Sequence, residues 1–183
     1  MKKNILVLTG SPRKNGNSDR MAEAFIKGAL SAGHQAVKFN AGTKKIGGCK
    51  ACKKCWSKDE PCIYRDDFDQ LTALLEEADV LAFSTPLYWF TFSAQILAPI
   101  NRLYAYQRDN CKRPLKIKES FLFVCGADDD ISIFEGTIAT YRGIAGYMQW
   151  QDKGILAVPG VQEVGEIDQT DALQKAEDFG RSL

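Results

Sequence analysis

The chain has 183 residues, with 24 Lys and Arg against 23 Asp and Glu and a formal net charge of +1. That balance supplies no basic field for nucleic acid and no acidic tail, so the expected partners are small molecules. The apolar run Ile5 to Leu8 is shorter than a secretory core of about 7 to 15 residues, and no run approaches a membrane span; no membrane partner and a cytoplasmic address are expected.

A single domain over 1–183 is the expectation, because a chain of this size buries about 70% of the surface its unfolded form exposes and needs no disulfides. Asn4 to Thr9 (NILVLT) is too short for a helix and rich in aliphatics, which predicts a strand buried on both faces. Met21, Ala22, Phe25, Ile26, Ala29 and Leu30 recur at spacings of three and four, predicting a helix over Ser18 to Ala32 that stops at Gly33. His34 to Phe39 reads as a second strand. His34 is the one histidine, placed away from the ligand loops, where a structural role is expected.

Next comes the lysine-rich segment 47–65, which holds four of the six cysteines in GCKACKKCWSKDEPC. A metal centre, disulfides and free thiols are the three readings; a reducing compartment puts ligand or redox roles before disulfides. A helix carrying Leu71, Leu74, Leu75 and Ala78 follows. Asp79 to Ser84 reads as a third strand that ends at Thr85 and Pro86. A helix from Ser93 to Tyr106 contains Pro99, at a cost of about 3 kcal/mol or a kink. Ser120 to Cys125 and Gly154 to Val158 read as strands, and Thr137 to Met148 and Asp171 to Ser182 as helices. This alternation predicts an α/β doubly wound five-stranded parallel sheet with helices on both faces. Ligands in such folds sit beyond the carboxyl ends of the strands, so the loops to examine are 10–17, 85–92 and 125–136.

The first loop, TGSPRKNGNS, combines the hydroxyls of Ser11 and Ser18, the charges of Arg13 and Lys14 and the amides of Asn15 and Asn17. Gly10 and Gly16 let backbone N–H groups turn inward at a helix N-terminus, an anion site suited to phosphate. A polar connection with no ligand is the alternative. Neither a GxGxxG dinucleotide fingerprint nor a GK[ST] Walker loop is present. The second loop, TPLYWFTFS, puts Leu87, Tyr88, Trp89, Phe90 and Phe92 where solvent would meet them. A flat ring with polar edges, a subunit interface or the core would cover them. Exposed Trp89, Phe90, Phe92 and Tyr104 predict a homodimer or a tetramer of dimers. In the third loop, Asp128, Asp129 and Asp130 read as solvated turn residues.

GSPRKNGNS and PLYWFTFSAQ, in that order and context, resemble the flavodoxin-like NADPH-dependent FMN reductase family. CKACKKCWSKDEPC resembles its iron-sulfur flavoprotein branch. The likeness runs over nearly the whole chain, including GYMQWQDKGILAVPGVQEVGEI. It implies an FMN-dependent NAD(P)H oxidoreductase passing electrons to a flavin, quinone or carrier, with an electron-transfer protein that turns over no small substrate as the alternative. It also implies a phosphate held by Ser11, Arg13, Asn15, Asn17 and Ser18, a flavin ring along Pro86, Leu87, Tyr88, Trp89 and Phe90, and Gly126 and Ala127 closing over its pyrimidine side. No catalytic side chain is expected, because the cofactor carries the reaction.

Cys49, Cys52, Cys55 and Cys62 follow a Cys-x2-Cys-x2-Cys-x6-Cys pattern. A compact triplet with a remote fourth thiol suits a [4Fe-4S] cluster better than zinc, and the surrounding lysines would stabilise thiolates. Free thiols on a solvated loop, and a zinc-stabilised module, stand beside that reading.

Overall fold

The computed structural model describes residues 1–58, 60–107 and 111–183; within the cysteine segment, position 59 lies outside the described residues. Six strands, β1 (Asn4–Thr9), β2 (Gln35–Asn40), β3 (Val80–Tyr88), β4 (Thr91–Phe92), β5 (Glu119–Cys125) and β6 (Gln151–Val158), form one sheet. Five run parallel in the order β2-β1-β3-β5-β6, and β4 pairs antiparallel with β3. The helices are α1 (Asn17–Ser31), α2 (Lys54–Lys58), α3 (Phe68–Glu77), α4 (Ala94–Arg102), α5 (Glu135–Tyr147) and α6 (Ala172–Arg181).

Alternate side chains of each strand enter opposite cores, which explains the unbroken apolar runs. Ile5, Val7, Val80, Ala82, Phe121 and Phe123 face α1 and α6. Leu6, Leu8, Leu81, Phe83, Leu122 and Val124 share the other core with side chains of α3, α4 and α5. Phe25 of α1 lies 5.0 Å from the Phe121 ring and 5.1 Å from Phe123; burying such a ring stabilises by about 1.5–3 kcal/mol. A Cβ on Gly28 would stand 2.0 Å from Glu177 O, and one on Gly180 2.2 Å from Phe25 O. Only glycine allows α1 and α6 to approach this closely.

Two element boundaries differ most from expectation. β3 does not stop at Ser84. β1 ends opposite that residue, so beyond it β3 is an edge on the β1 side, where proline is tolerated, and the strand continues through Pro86 to Tyr88. The segment 85–92 is therefore a β-hairpin rather than an open loop. The helix expected to reach Tyr106 ends at Arg102 and tightens into a 3-10 turn over Leu103–Tyr106. Pro99 sits buried inside α4, three residues before that change.

Candidate functional site

The sheet order reverses between β1, which is followed by β2 on one side, and β3 on the other. Ligand sites of doubly wound sheets open at this switch point. A cleft of about 120 Å³ lies there, walled by Ser11, Arg13, Gly16, Asn17 and Ser18 after β1 and by Pro86, Leu87 and Tyr88 of β3. Cys125, Gly126, Ala127, Val161 and Gln162 complete it.

The floor is the N-terminus of α1. Its N-cap is Gly16, which has no side chain to satisfy the first N–H groups, so those donors stay available to an anion. Ser18 is 1% exposed and its Oγ has no hydrogen-bond partner. Ser11 is also buried, and its Oγ accepts from the Arg13 N–H at 3.2 Å. A Cβ on Gly42 would stand 2.1 Å from Ser11 O, so the turn after β2 presses directly on this loop.

Several expected residues sit differently from the reading of the sequence. The Asn17 amide is engaged elsewhere: Nδ2 donates to Glu163 O at 2.9 Å, and Oδ1 accepts from Gly165 N at 3.1 Å. Its side chain thus ties segment 163–167 to α1. Arg13 lines the cleft, but its Nη1 donates to Gln162 O at 2.8 Å. Asn15 takes a left-handed φ of 54° and is not on the cleft wall. Val161 and Gln162 were not singled out in the sequence. They reach the cleft because Val161 N donates to Gly126 O, joining the loops after β5 and β6.

Trp89 and Phe90 also stand off the cleft wall. They form the two-residue turn between β3 and β4, with φ of 48° and 62°, values costly for side chains other than glycine. Thr137 Oγ1 donates to Phe90 O. Trp89 is 92% and Phe90 60% exposed, whereas Phe92 is 1% exposed and packs edge-on against Phe83. The expected aromatic surface is therefore smaller than the sequence suggested: Phe92 belongs to the core and Tyr104 is half-buried. Cys125 is buried, and loss of solvent pushes its thiol up to about 12. Asp128 and Asp130 form exposed turns, Asp130 accepting from the N–H and hydroxyl of Ser132, which holds its carboxyl below the usual range. His34 is structural: its Nδ1 accepts from the Lys3 N–H.

The cysteine segment leaves the carboxyl end of β2 and returns at a narrow neck. Lys45 N donates to Asp67 Oδ2, Asp67 N to Lys45 O, and Gly47 N to Asp66 Oδ2. Cys49, Cys52, Cys55 and Cys62 all line a single cavity of about 240 Å³, and all are free thiols. Ala51 and Lys53, between the first three cysteines, have φ of 52° and 56°. Such strain in residues other than glycine concentrates where a backbone wraps a ligand. Burial chiefly, with Cys52, Cys62 and Cys49 nearby, raises the Cys55 thiol, although the Trp56 N–H opposes the shift. Among the described residues no three His, Cys, Asp or Glu side chains converge on a single ion.

The family model for NADPH-dependent FMN reductases matches residues 3–129. The chain belongs to that family. It is 32% identical over 194 aligned positions to an iron-sulfur flavoprotein of Archaeoglobus fulgidus, covering 96% of this chain and 76% of the relative. With an iron-sulfur flavoprotein of Methanosarcina thermophila it shares 28% identity over 106 positions, 58% of this chain and 55% of the relative. An NAD(P)H:quinone oxidoreductase from Methanothermobacter marburgensis has the same fold at a TM-score of 0.76 and 17% identity, over 100% of this chain and 96% of that one. Membership makes the chain an oxidoreductase with FMN as cofactor and a reduced nicotinamide as electron donor. No helix among the described residues is long and apolar enough to cross a membrane.

Proposed function

We propose that the switch-point cleft is the FMN site, from which electrons delivered by a reduced nicotinamide pass to a small acceptor such as a flavin or quinone, or to an electron carrier. The observation that carries this is the buried Ser18 Oγ, unpartnered at the uncapped N-terminus of α1. A phosphate there would satisfy that hydroxyl together with the first N–H groups of the helix, and Ser11 and Arg13 complete its surroundings. The enclosed volume of about 120 Å³ is small beside ligand pockets of about 300–1,000 Å³. A flavin ring would therefore lie along the open edge, on Pro86, Leu87 and Tyr88, with Gly126 and Ala127 approaching through backbone. Bound FMN supplies the hydride-accepting and electron-passing chemistry. The chain's residues bind it, orient it and exclude water.

Replacing Ser11 and Ser18 together by Ala removes two hydroxyls from the anion, each worth about 1.5–3 kcal/mol when the partner is charged. FMN affinity, read by fluorescence titration, should fall tenfold or more without loss of fold. Parent affinity in the double variant would place the phosphate elsewhere.

A second reading rests on the four thiols around one cavity: Cys49, Cys52, Cys55 and Cys62 hold a [4Fe-4S] cluster, and the protein serves one-electron transfer. Iron and acid-labile sulfide per FMN after anaerobic purification test it. About four irons per FMN, with a large loss in Cys52→Ala, support it; no iron after anaerobic reconstitution overturns it and leaves the flavin site standing. Clustered cysteines used as ligands suit a reducing, cytoplasmic setting. The exposed Trp89 and Phe90 favour a homodimer or tetramer, which light scattering distinguishes from a monomer of 20.3 kDa.

A further inference from the structure

Arg102 ends α4 and is 3% exposed, an unusual place for a guanidinium at the last turn of a helix. Its Nη1 donates to Asp66 Oδ1 at 2.7 Å and Oδ2 at 2.6 Å and to Gly47 O at 3.3 Å, while Nη2 donates to Tyr64 O at 2.9 Å. Its plane lies over Phe68, 4.1 Å from the ring centroid. These contacts grip both sides of the neck from which the cysteine segment hangs. They leave one nitrogen without a partner: Nε is buried with none. The same residue lines the four-cysteine cavity.

We infer that Arg102 is a positioning and charge-balancing residue for the anionic centre held by the four thiolates, with its free Nε–H directed to that centre; this rests on the cluster reading above. The Asp66 carboxylate and the Gly47 and Tyr64 carbonyls account for the terminal nitrogens alone. They do not explain the unpartnered Nε, which costs about 1–3 kcal/mol if nothing meets it; Asp66 shares the cavity wall, so the contact from Nε is what sets Arg102 apart from a plain ion pair. Lys50, Lys53, Lys54 and Lys58 also surround the segment, but they are exposed, so water and salt screen them. A charge inside the protein acts through a lower dielectric and weighs more on the centre. Lysine cannot replace it, because one ammonium does not reach both sides of the neck and a third partner at once.

The test uses the full chain, purified anaerobically and reconstituted with ferrous iron and sulfide. Iron, sulfide and FMN per chain are measured, with the midpoint potential of the centre from a redox titration followed by electron paramagnetic resonance. Asp66→Asn combined with Arg102→Gln keeps the neck paired through neutral amides. It should retain parent FMN and iron; the charges of the pair cancel, so the lost Nε–H contact alone should make its centre about tenfold harder to reduce, a shift of about 59 mV to lower potential for one electron. Parent iron with a parent potential in the double variant overturns the role of Arg102 and leaves the cluster standing. No iron in the parent overturns both readings. If only the double variant fails to load, Arg102→Lys decides, since it leaves Asp66 paired: a threefold shift in the same direction, about 28 mV, supports the inference, and a parent potential overturns it. Loss of iron in both variants with FMN retained overturns it, because a neck that opens without Arg102 loses the centre whether or not Nε–H meets it.

Discussion

The switch-point cleft and the cysteine cavity both grow from the carboxyl ends of strands, yet different forces hold them. The cleft is walled by backbone that enters or leaves the sheet, and its shape follows from strand order and from the start of α1. The cysteine segment has one helical turn of its own, α2, and is held by side chains reaching from α4 and the 3-10 turn after it. Arg102 grips the neck; Trp56 stacks on Tyr104 at 4.5 Å and donates Nε1–H to its carbonyl at 3.0 Å. A site built on the sheet should resist local opening, and a site pinned by a few side chains should open one contact at a time.

Thiol chemistry separates the two regions most. Cys125 lies at the cleft with its thiol pushed up to about 12 by burial, against about 8.5 for an ordinary cysteine. In protein free of FMN and metal at pH 8, iodoacetamide should alkylate Cys125 about a thousandfold more slowly than an unperturbed exposed thiol. Cys49 and Cys52, both exposed, should react first, as peptide mass mapping would show. Early labelling of Cys125 would mean that the cleft opens as readily as the loop.

The next largest effect is expected from Gly42→Val. The new side chain would force Ser11 O and Pro12 N, 2.1 and 2.8 Å from its Cβ, to move. Displacing a binding backbone by about 1 Å is worth on the order of a hundredfold. FMN affinity should drop by about that factor in a fluorescence titration; an unchanged affinity would show that the loop after β1 does not hold the phosphate.

That glycine also marks the limit of what the sequence discloses. The strands and α1 were legible because a parallel strand buried on both faces must be apolar throughout, and a surface helix must repeat at three and four. Ser11, Arg13, Ser18, Pro86, Leu87 and Tyr88 line the cleft because of their place after β1 and in β3. Asn17 looked like a phosphate ligand because nothing near it in the chain reveals that its amide is tied to residues 163–167. Arg102 carries no signal of its own in the sequence, and its partner Asp66 lies 36 residues earlier. Phe92 looked exposed because Pro86 hid the continuation of β3, and only the hairpin turns that ring into the core. Local pattern reports which face is buried, whereas contacts between distant side chains leave no periodic trace.

Trp56→Ala should loosen the cysteine segment and spare the cleft. The stacked pair is worth about 0.5–1.5 kcal/mol and the indole hydrogen bond about as much, so the open population should rise roughly tenfold. Tryptic cleavage after Lys50, Lys53 and Lys54 tracks that population when closing is fast and should quicken in proportion, with FMN affinity as in the parent. Unchanged cleavage would mean that the neck alone holds the segment.

Acid should produce the smallest effect, and its direction follows from Asp66. Burial pushes this carboxyl up, but the N–H groups of Gly47 and Phe68 and the Arg102 guanidinium outweigh burial and leave it below the usual range. A carboxyl whose folded value is depressed stabilises the fold fully above its unfolded value, about 3.9, and that stabilisation disappears as pH falls through the folded value. The neck should therefore hold unchanged from pH 7 to about 4 and slacken only below, as the ion pair with Arg102 and the bond from Gly47 N are lost together. Amide hydrogen exchange at Gly47, corrected for its intrinsic pH dependence, should stay flat over the first interval and rise several-fold over the second. Asp66→Asn should abolish that rise, because the amide no longer titrates. Slackening that begins near pH 6 would trace the neck to some other group and remove Asp66 from the account of how the segment is held.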